Sequence, residues 1–171
     1  MDEFDLLVEA YRMRASSSAT SRMSVLLDLD RRRDPRVVPF LLNVLADSQE
    51  TATVRIYVLK QLRNARGLVT PASRPEVANA AGNALVEPGD AELRIQAALT
   101  LGAFTDVDGV VSRLGAVCLS GHESVDLRYA AFTSLERAGT TPECIALLHK
   151  ISADETLGLL ARNVLAAWHI E

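Results

Sequence analysis

Residues 34–62 read DPRVVPFLLNVLADSQETATVRIYVLKQL. Val37, Leu41 and Leu45, with Val38 and Leu42 beside them, fall on one face of a helix. Residues 47–53 make a short polar turn, after which Val54, Val58 and Leu62 rebuild an apolar stripe at a spacing of four. Two amphipathic helices joined by so short a turn lie antiparallel, and neither can bury its stripe alone. The stretch predicts a helical hairpin that needs neighbours.

The rest of the chain supplies them. On the N-terminal side, helices are predicted over 2–14, with Phe4, Leu7, Val8 and Tyr11 inward, and over 21–29, with Val25, Leu26 and Leu29 inward. A Ser-rich turn at 15–20 joins them. After a loop at 64–74 that holds Gly67 and Pro71, helices are predicted over 75–86, 91–104, 107–119, 124–138, 141–151 and 154–170. The punctuation is specific. Glu87-Pro88-Gly89-Asp90 is a turn, Gly139 can end a helix, and Thr141 before Pro142 is an N-cap followed by a first-position proline. The result is an all-α chain of ten helices in five hairpins, roughly 2–30, 35–64, 75–104, 107–138 and 141–170, read as one domain.

The second helices align without gaps: SRMSVLLDL from Ser21, VRIYVLKQL from Val54, LRIQAALTL from Leu93, LRYAAFTSL from Leu127 and LGLLARNVL from Leu157. Four carry arginine in second place, as Arg22, Arg55, Arg94 and Arg128, and all five close on leucine. The blocks start 33, 39, 34 and 30 residues apart. Repeats of that period predict an α-solenoid, in which each hairpin covers the next.

Val-Val-Pro-Phe-Leu-Leu-Asn-Val-Leu-Ala-Asp at 37–47, followed by Val-Arg at 54–55, resembles a HEAT repeat. The resemblance covers nearly the whole chain and is nearest the phycobilisome-lyase-like subgroup of short HEAT repeats. It implies a right-handed superhelix. It also implies that Pro39 bends its helix, and that Asp47 with Arg55, joined by Arg94 and Arg128, forms an internal ladder. The last repeat departs from the pattern, with Gly158 where the arginine would stand.

Composition narrows the functional classes. Apolar residues make up 49% and charged residues 23% of 171, as in an ordinary globular chain. Aromatics are only 5%, which leaves few stacking platforms for bases. The net charge of −4 argues against a nucleic-acid partner, since phosphate binding asks for a basic excess. The charge is uneven: residues 1–66 hold eleven Lys/Arg against nine Asp/Glu, residues 67–171 seven against thirteen. The acidic start MDEFDLLVEA lacks the basic and apolar regions of a signal peptide, and no apolar run approaches a membrane span. With Cys118 and Cys144 inside helical patterns, a reduced, cytoplasmic protein is expected.

Cys118, His122, Cys144 and His149 are ligand-type residues, but their helix register keeps them from converging on a metal. No phosphate-cradling glycine loop or nucleophile–base motif is present. Neither cofactor nor catalysis is expected. The anticipated function is protein–protein binding by an adaptor, scaffold or regulatory subunit through the concave face of the second helices. The fourth and eighth block positions and the residues one turn further supply a polar ridge there: Arg31, Tyr57, Gln61, Gln96, Thr100, Ser134 and Arg137. The Arg31–Arg33 cluster reads either as a solvated corner or as a dock for an acidic segment. The apolar last helix, with Trp168, reads either as a packed end or as a surface for self-association. The resemblance leaves two alternatives: a subunit of a bilin-attaching lyase, or a nucleic-acid-binding HEAT-like protein.

Overall fold

The computed structural model describes residues 1–13, 18–64 and 68–171. The described residues form ten helices and no strand. The helices are α1 (Glu3–Met13), α2 (Ala19–Asp30), α3 (Val37–Ala46), α4 (Ala52–Asn64), α5 (Arg74–Val86), α6 (Ala91–Leu101), α7 (Val110–Leu119), α8 (Val125–Glu136), α9 (Pro142–Ile151) and α10 (Gly158–Ala167). Parts of the turn at 15–20 and the loop at 64–74, and the last residue of the first predicted helix, lie outside the described residues. None of the described helices is long and apolar enough to cross a membrane.

The second helices begin by one device. A short polar side chain three residues before each aligned block accepts a hydrogen bond from the N–H of the block's first residue. Ser18 takes Ser21 N (3.3 Å), Thr51 takes Val54 N (3.3 Å) and Asp90 takes Leu93 N (2.8 Å). Ser124 takes Leu127 N (3.2 Å) and Asp154 takes Leu157 N (2.8 Å). Each satisfies a donor that the helix start would otherwise leave unpaired. Thr141 caps α9 in the same way, through Cys144 N (3.3 Å). Gly139 adopts φ +71° beyond the end of α8, a conformation that a Cβ would strain.

The chain divides into two compact parts, Met1–Ala80 and Ala81–Glu171. In the first, α1 pairs with α2, α3 with α4, and α2 lies against α4. Val25, Leu26 and Leu29 on α2, Val37, Leu41 and Leu45 on α3, and Val54, Val58 and Leu62 on α4 are all buried. Helix α1 buries no residue fully. It is held by edge-on ring contacts of Phe4 and Tyr11 with Phe40 (centroids 6.4 and 5.4 Å apart), and by Arg36, whose guanidinium sits 4.3 Å over the Phe4 ring. Pro39 lies in the first turn of α3, before Phe40 N, which donates to Arg36 O (3.2 Å). A missing N–H there costs no helical bond, so the expected reason for a bend is absent.

In the second part, α7 pairs with α8 and α9 with α10, while α6 lies against α8 and α7 against α9. Small residues allow close approach. A Cβ added to Gly115 on α7 would stand 2.6 Å from a Leu147 methyl on α9, and one on Gly102, at the end of α6, 2.8 Å from Ser134 Oγ on α8. Ala97, Ala98, Ala130 and Ala131 are all buried along the α6–α8 contact.

Candidate functional site

The aligned arginines are fasteners. Three of them lie along their own hairpins and bond the penultimate carbonyl of the first helix: Arg55 Nε donates to Leu45 O (2.8 Å), Arg94 Nε to Leu85 O (2.8 Å), Arg128 Nε to Cys118 O (3.0 Å). Such carbonyls have no partner within their helix. Three of the arginines also reach an acid in the turn before the next second helix. Arg22 meets Glu50 (2.8 Å), Arg94 holds both oxygens of Glu123 (2.8 Å each), and Arg128 meets Asp154 (2.6 Å).

The acids register this. Burial alone would raise Glu50, but Arg22, the Tyr11 hydroxyl and Thr51 N–H together hold it below the usual range. The bond from Arg94 lowers Glu123. Asp154 is lowered first by Leu157 N–H, which it caps, and further by Arg128.

The acid differs from the expected one. Asp47 is exposed, and its Oδ1 accepts from Gln49 N (2.9 Å), closing the local turn instead of meeting a helix arginine. Glu50, three residues later, is the partner, and its arginine is Arg22 of the preceding second helix. The missed acids had a signal: Glu50 and Glu123 stand four residues before their blocks and Asp154 three. Arg22, aligned with the other arginines, belonged to the set.

The polar ridge separates into open and closed positions. Tyr57 is half-buried on α4, and its hydroxyl donates to Asp30 Oδ2 at the end of α2 (3.1 Å). Gln61, one turn along, is also half-buried, and Arg31, the C-cap of α2, is exposed. Arg137, the C-cap of α8, is exposed as well. Gln96, Thr100 and Ser134 are buried, contrary to the expected surface ridge. Thr100 Oγ1 donates to Gln96 O and Ser134 Oγ to Ala98 O (2.7 Å each), so these hydroxyls are spent on helix carbonyls inside the α6–α8 contact. The alanines and Gly102 bring the two helices close enough to swallow positions that a wider spacing would leave wet.

Asp30 is unusual. Among the described residues its Oδ1 is the buried side-chain oxygen that has no hydrogen-bond partner. Burial raises its carboxyl above the ordinary value, against the lowering effect of Tyr57. The Tyr57 phenol is likewise pushed up, by burial and then by the Asp30 charge.

Other candidates are accounted for locally. Arg32 pairs with Glu3, and Arg36 with Asp34 (2.8 Å) and Asp2 (2.6 Å), so part of the basic corner is neutralised. Cys118 and Cys144 are buried, with thiols pushed up to about 12 and about 11 by desolvation. His122 and His149 are exposed, and no described trio of His, Cys, Asp or Glu could hold a metal. Trp168 is the half-buried C-cap of α10, while Leu159 on the same helix is 62% exposed. A cleft of about 450 Å³ between α1 and α3 is lined by Phe4, Val8 and Phe40, with Arg12 and Arg36 offset by Asp5 and Glu9. No family model matches this chain, and no curated protein matches it.

Proposed function

We propose that this chain is a HEAT-like repeat protein, a right-handed α-solenoid that acts without catalysis as an adaptor, scaffold or regulatory subunit for another protein. One observation carries the reading: the recurrent fastening of a second-helix arginine to its own first helix and to the turn acid 26 to 29 residues on. A repeat that cannot bury its own stripe needs such a link to its neighbour, and stacked repeats present long faces suited to protein binding. The packing of second helix on second helix, α2 on α4 and α6 on α8, is the arrangement such a stack requires. The buried, weakly acidic cysteines are poor nucleophiles, which favours a binding role over catalysis.

The candidate contact residues are Arg31, Tyr57 and Gln61 in the first part and, separately, Arg137 on α8 in the second. Their test is capture from nuclease-treated lysate of the source cells at low and high salt. A stoichiometric protein that survives high salt is the expected result, weakened by Tyr57→Ala with Arg137→Glu while the helical circular dichroism stays unchanged. Retention of nucleic acid or pigment alone would overturn the reading in favour of one of the other two classes.

A further inference from the structure

We propose that the open face of the second helices in the second part, α6, α8 and α10, docks a basic amphipathic helix of the partner protein. This inference rests on the binding-module reading above and adds a surface and the chemistry of what it takes. The third place of the aligned block is apolar in every repeat: Met23, Ile56, Ile95, Tyr129 and Leu159. Exposure there grows along the second part. Ile95 is half-buried, Tyr129 is 41% exposed and Leu159 62%, with Val125 one turn before Tyr129 at 50%. A lone exposed leucine means little, but an apolar row repeated from helix to helix marks a contact surface. The fasteners keep the row together: Arg94 on α6 holds Glu123 in the turn before α8, and Arg128 on α8 holds Asp154, the cap before α10 (2.6 Å).

The charges beside the row select the occupant. An exposed acid stands three or four residues before each apolar one: Glu92 before Ile95, Asp126 before Tyr129, Glu155 before Leu159. With Arg94 and Arg128 committed to Glu123 and Asp154, neither Asp126 nor Glu155 has an ion-pair partner among the described residues. Gln96 Nε2 donates to Glu92 (2.8 Å) and leaves its charge in place. In the first part Thr20 and Thr53 stand where Glu92 and Asp126 do, so the carboxylate row belongs to the second part. An apolar row with carboxylates along one edge complements a helix whose apolar stripe is flanked by Lys or Arg. An extended segment would bring unpaired main-chain groups to helices whose backbone is already bonded. An anionic lipid surface would meet like charge.

The experiment follows the fluorescence anisotropy of a labelled model helix of about 18 residues, ~27 Å long, with Leu on one face and Lys on the other. A scrambled Leu/Lys peptide and a Leu/Glu helix serve as comparisons. The Leu/Lys helix should bind the full chain at least about tenfold tighter than either. Tyr129→Ala and Leu159→Ala should each weaken it about tenfold. Asp126→Lys with Glu155→Lys should do the same at low salt and less at high salt. Leu27→Ala, at an exposed leucine on α2, should change it less than about twofold. Equal binding of the scrambled peptide, or of the Tyr129 and Leu159 variants and wild type, would overturn the surface. So would a wild-type dimer in sedimentation that Leu159→Ala dissolves, which would give the face to a second copy of the chain. The two readings fail separately. A protein captured from lysate equally by wild type and by the Tyr129→Ala, Leu159→Ala double variant removes the surface and leaves the binding module. Model-helix binding that these variants abolish, with no protein captured, removes the module and leaves the surface.

Discussion

The α2–α4 and α6–α8 contacts are built on the same repeat positions and hold together by different means. The tenth residue of the aligned block is Asp30 on α2 and Gly102 on α6; the fourth on the facing helix is Tyr57 in one case and Ala130 in the other. Asp30 reaches across to Tyr57 and leaves an orphaned oxygen, while Gly102 lets Ser134 close down on α6. The fasteners differ in the opposite sense. The Arg22 and Glu50 side chains are 6% and 5% exposed, those of Arg94 and Glu123 23% and 25%. One contact rests on a buried ion pair and a Tyr57–Asp30 hydrogen bond; the other rests on close packing. Side-chain size at these positions decides how closely each pair of second helices packs.

The sharpest way to break that comparison is to remove the fasteners one at a time. Arg22→Ala leaves Glu50 buried against Tyr11 with no cation, at a cost of about 3–5 kcal/mol. Arg94→Ala leaves a partly solvated Glu123 and an unpaired Leu85 carbonyl, for about 1 kcal/mol. Chemical denaturation of both variants measures the difference; equal losses would mean that the two fasteners carry the same load.

The repeat skeleton was legible because it is written in periodicity. The stripes of Val37, Leu41 and Leu45 and of Val54, Val58 and Leu62 fix the opening hairpin, and the gapless blocks fix the second helices. The fasteners were half legible: the arginines share a block position, but their acids lie in turns, where Asp47 and Glu50 are equally plausible by type and only the fold shows which one faces Arg22. The ridge failed at Gln96, Thr100 and Ser134 for another reason. Helical periodicity gives the direction of a side chain and not the distance to the next helix, and that distance is set by the alanines and glycine that line the contact. Asp30 reads in the sequence as one acid of a solvated corner; its unmet hydrogen bond is a matter of packing, which no pattern of residue types displays.

Gly102→Ala tests the packing half of the comparison. The new methyl would press on Ser134 Oγ from 2.8 Å and Ser134 Cβ from 3.0 Å, and overpacking of this kind costs about 1–3 kcal/mol. Gly102 has φ −59°, so the cost is one of space and not of backbone strain. A melting temperature equal to wild type would mean that α6 and α8 separate easily and that the closed ridge can open.

The Asp30 half is read through pH. Its carboxyl is raised above the ordinary 3.8, so the neutral form is the one the fold favours. Its contribution is present in full below 3.8 and is lost as pH rises through the folded value. Tyr57 bonds the carboxylate and Arg31 stands beside the Tyr57 phenol. Asp30→Asn should therefore gain up to about 1 kcal/mol near neutral pH and lose that advantage in acid. Glu50, Glu123 and Asp154 titrate the other way: lowered in the fold, they add stability above their unfolded values that disappears as pH falls. They act equally in wild type and variant, so the difference between two urea titrations isolates Asp30. A pH-independent difference would remove the buried-carboxylate account.

The smallest effect is the most discriminating. Tyr57→Phe removes the 3.1 Å bond to Asp30 and should cost about 0.5–1 kcal/mol. It also leaves both Asp30 oxygens without that donor, which pushes the carboxyl further toward its neutral form. In the Asp30→Asn background the lost bond is to an uncharged amide, so the penalty shrinks, and the double-mutant cycle should show a coupling of about 0.5 kcal/mol at neutral pH that vanishes in acid. Additivity at both pH values would mean that Tyr57 and Asp30 are neighbours without being a pair. The α2–α4 contact would then be set by side-chain size alone, as the α6–α8 contact is.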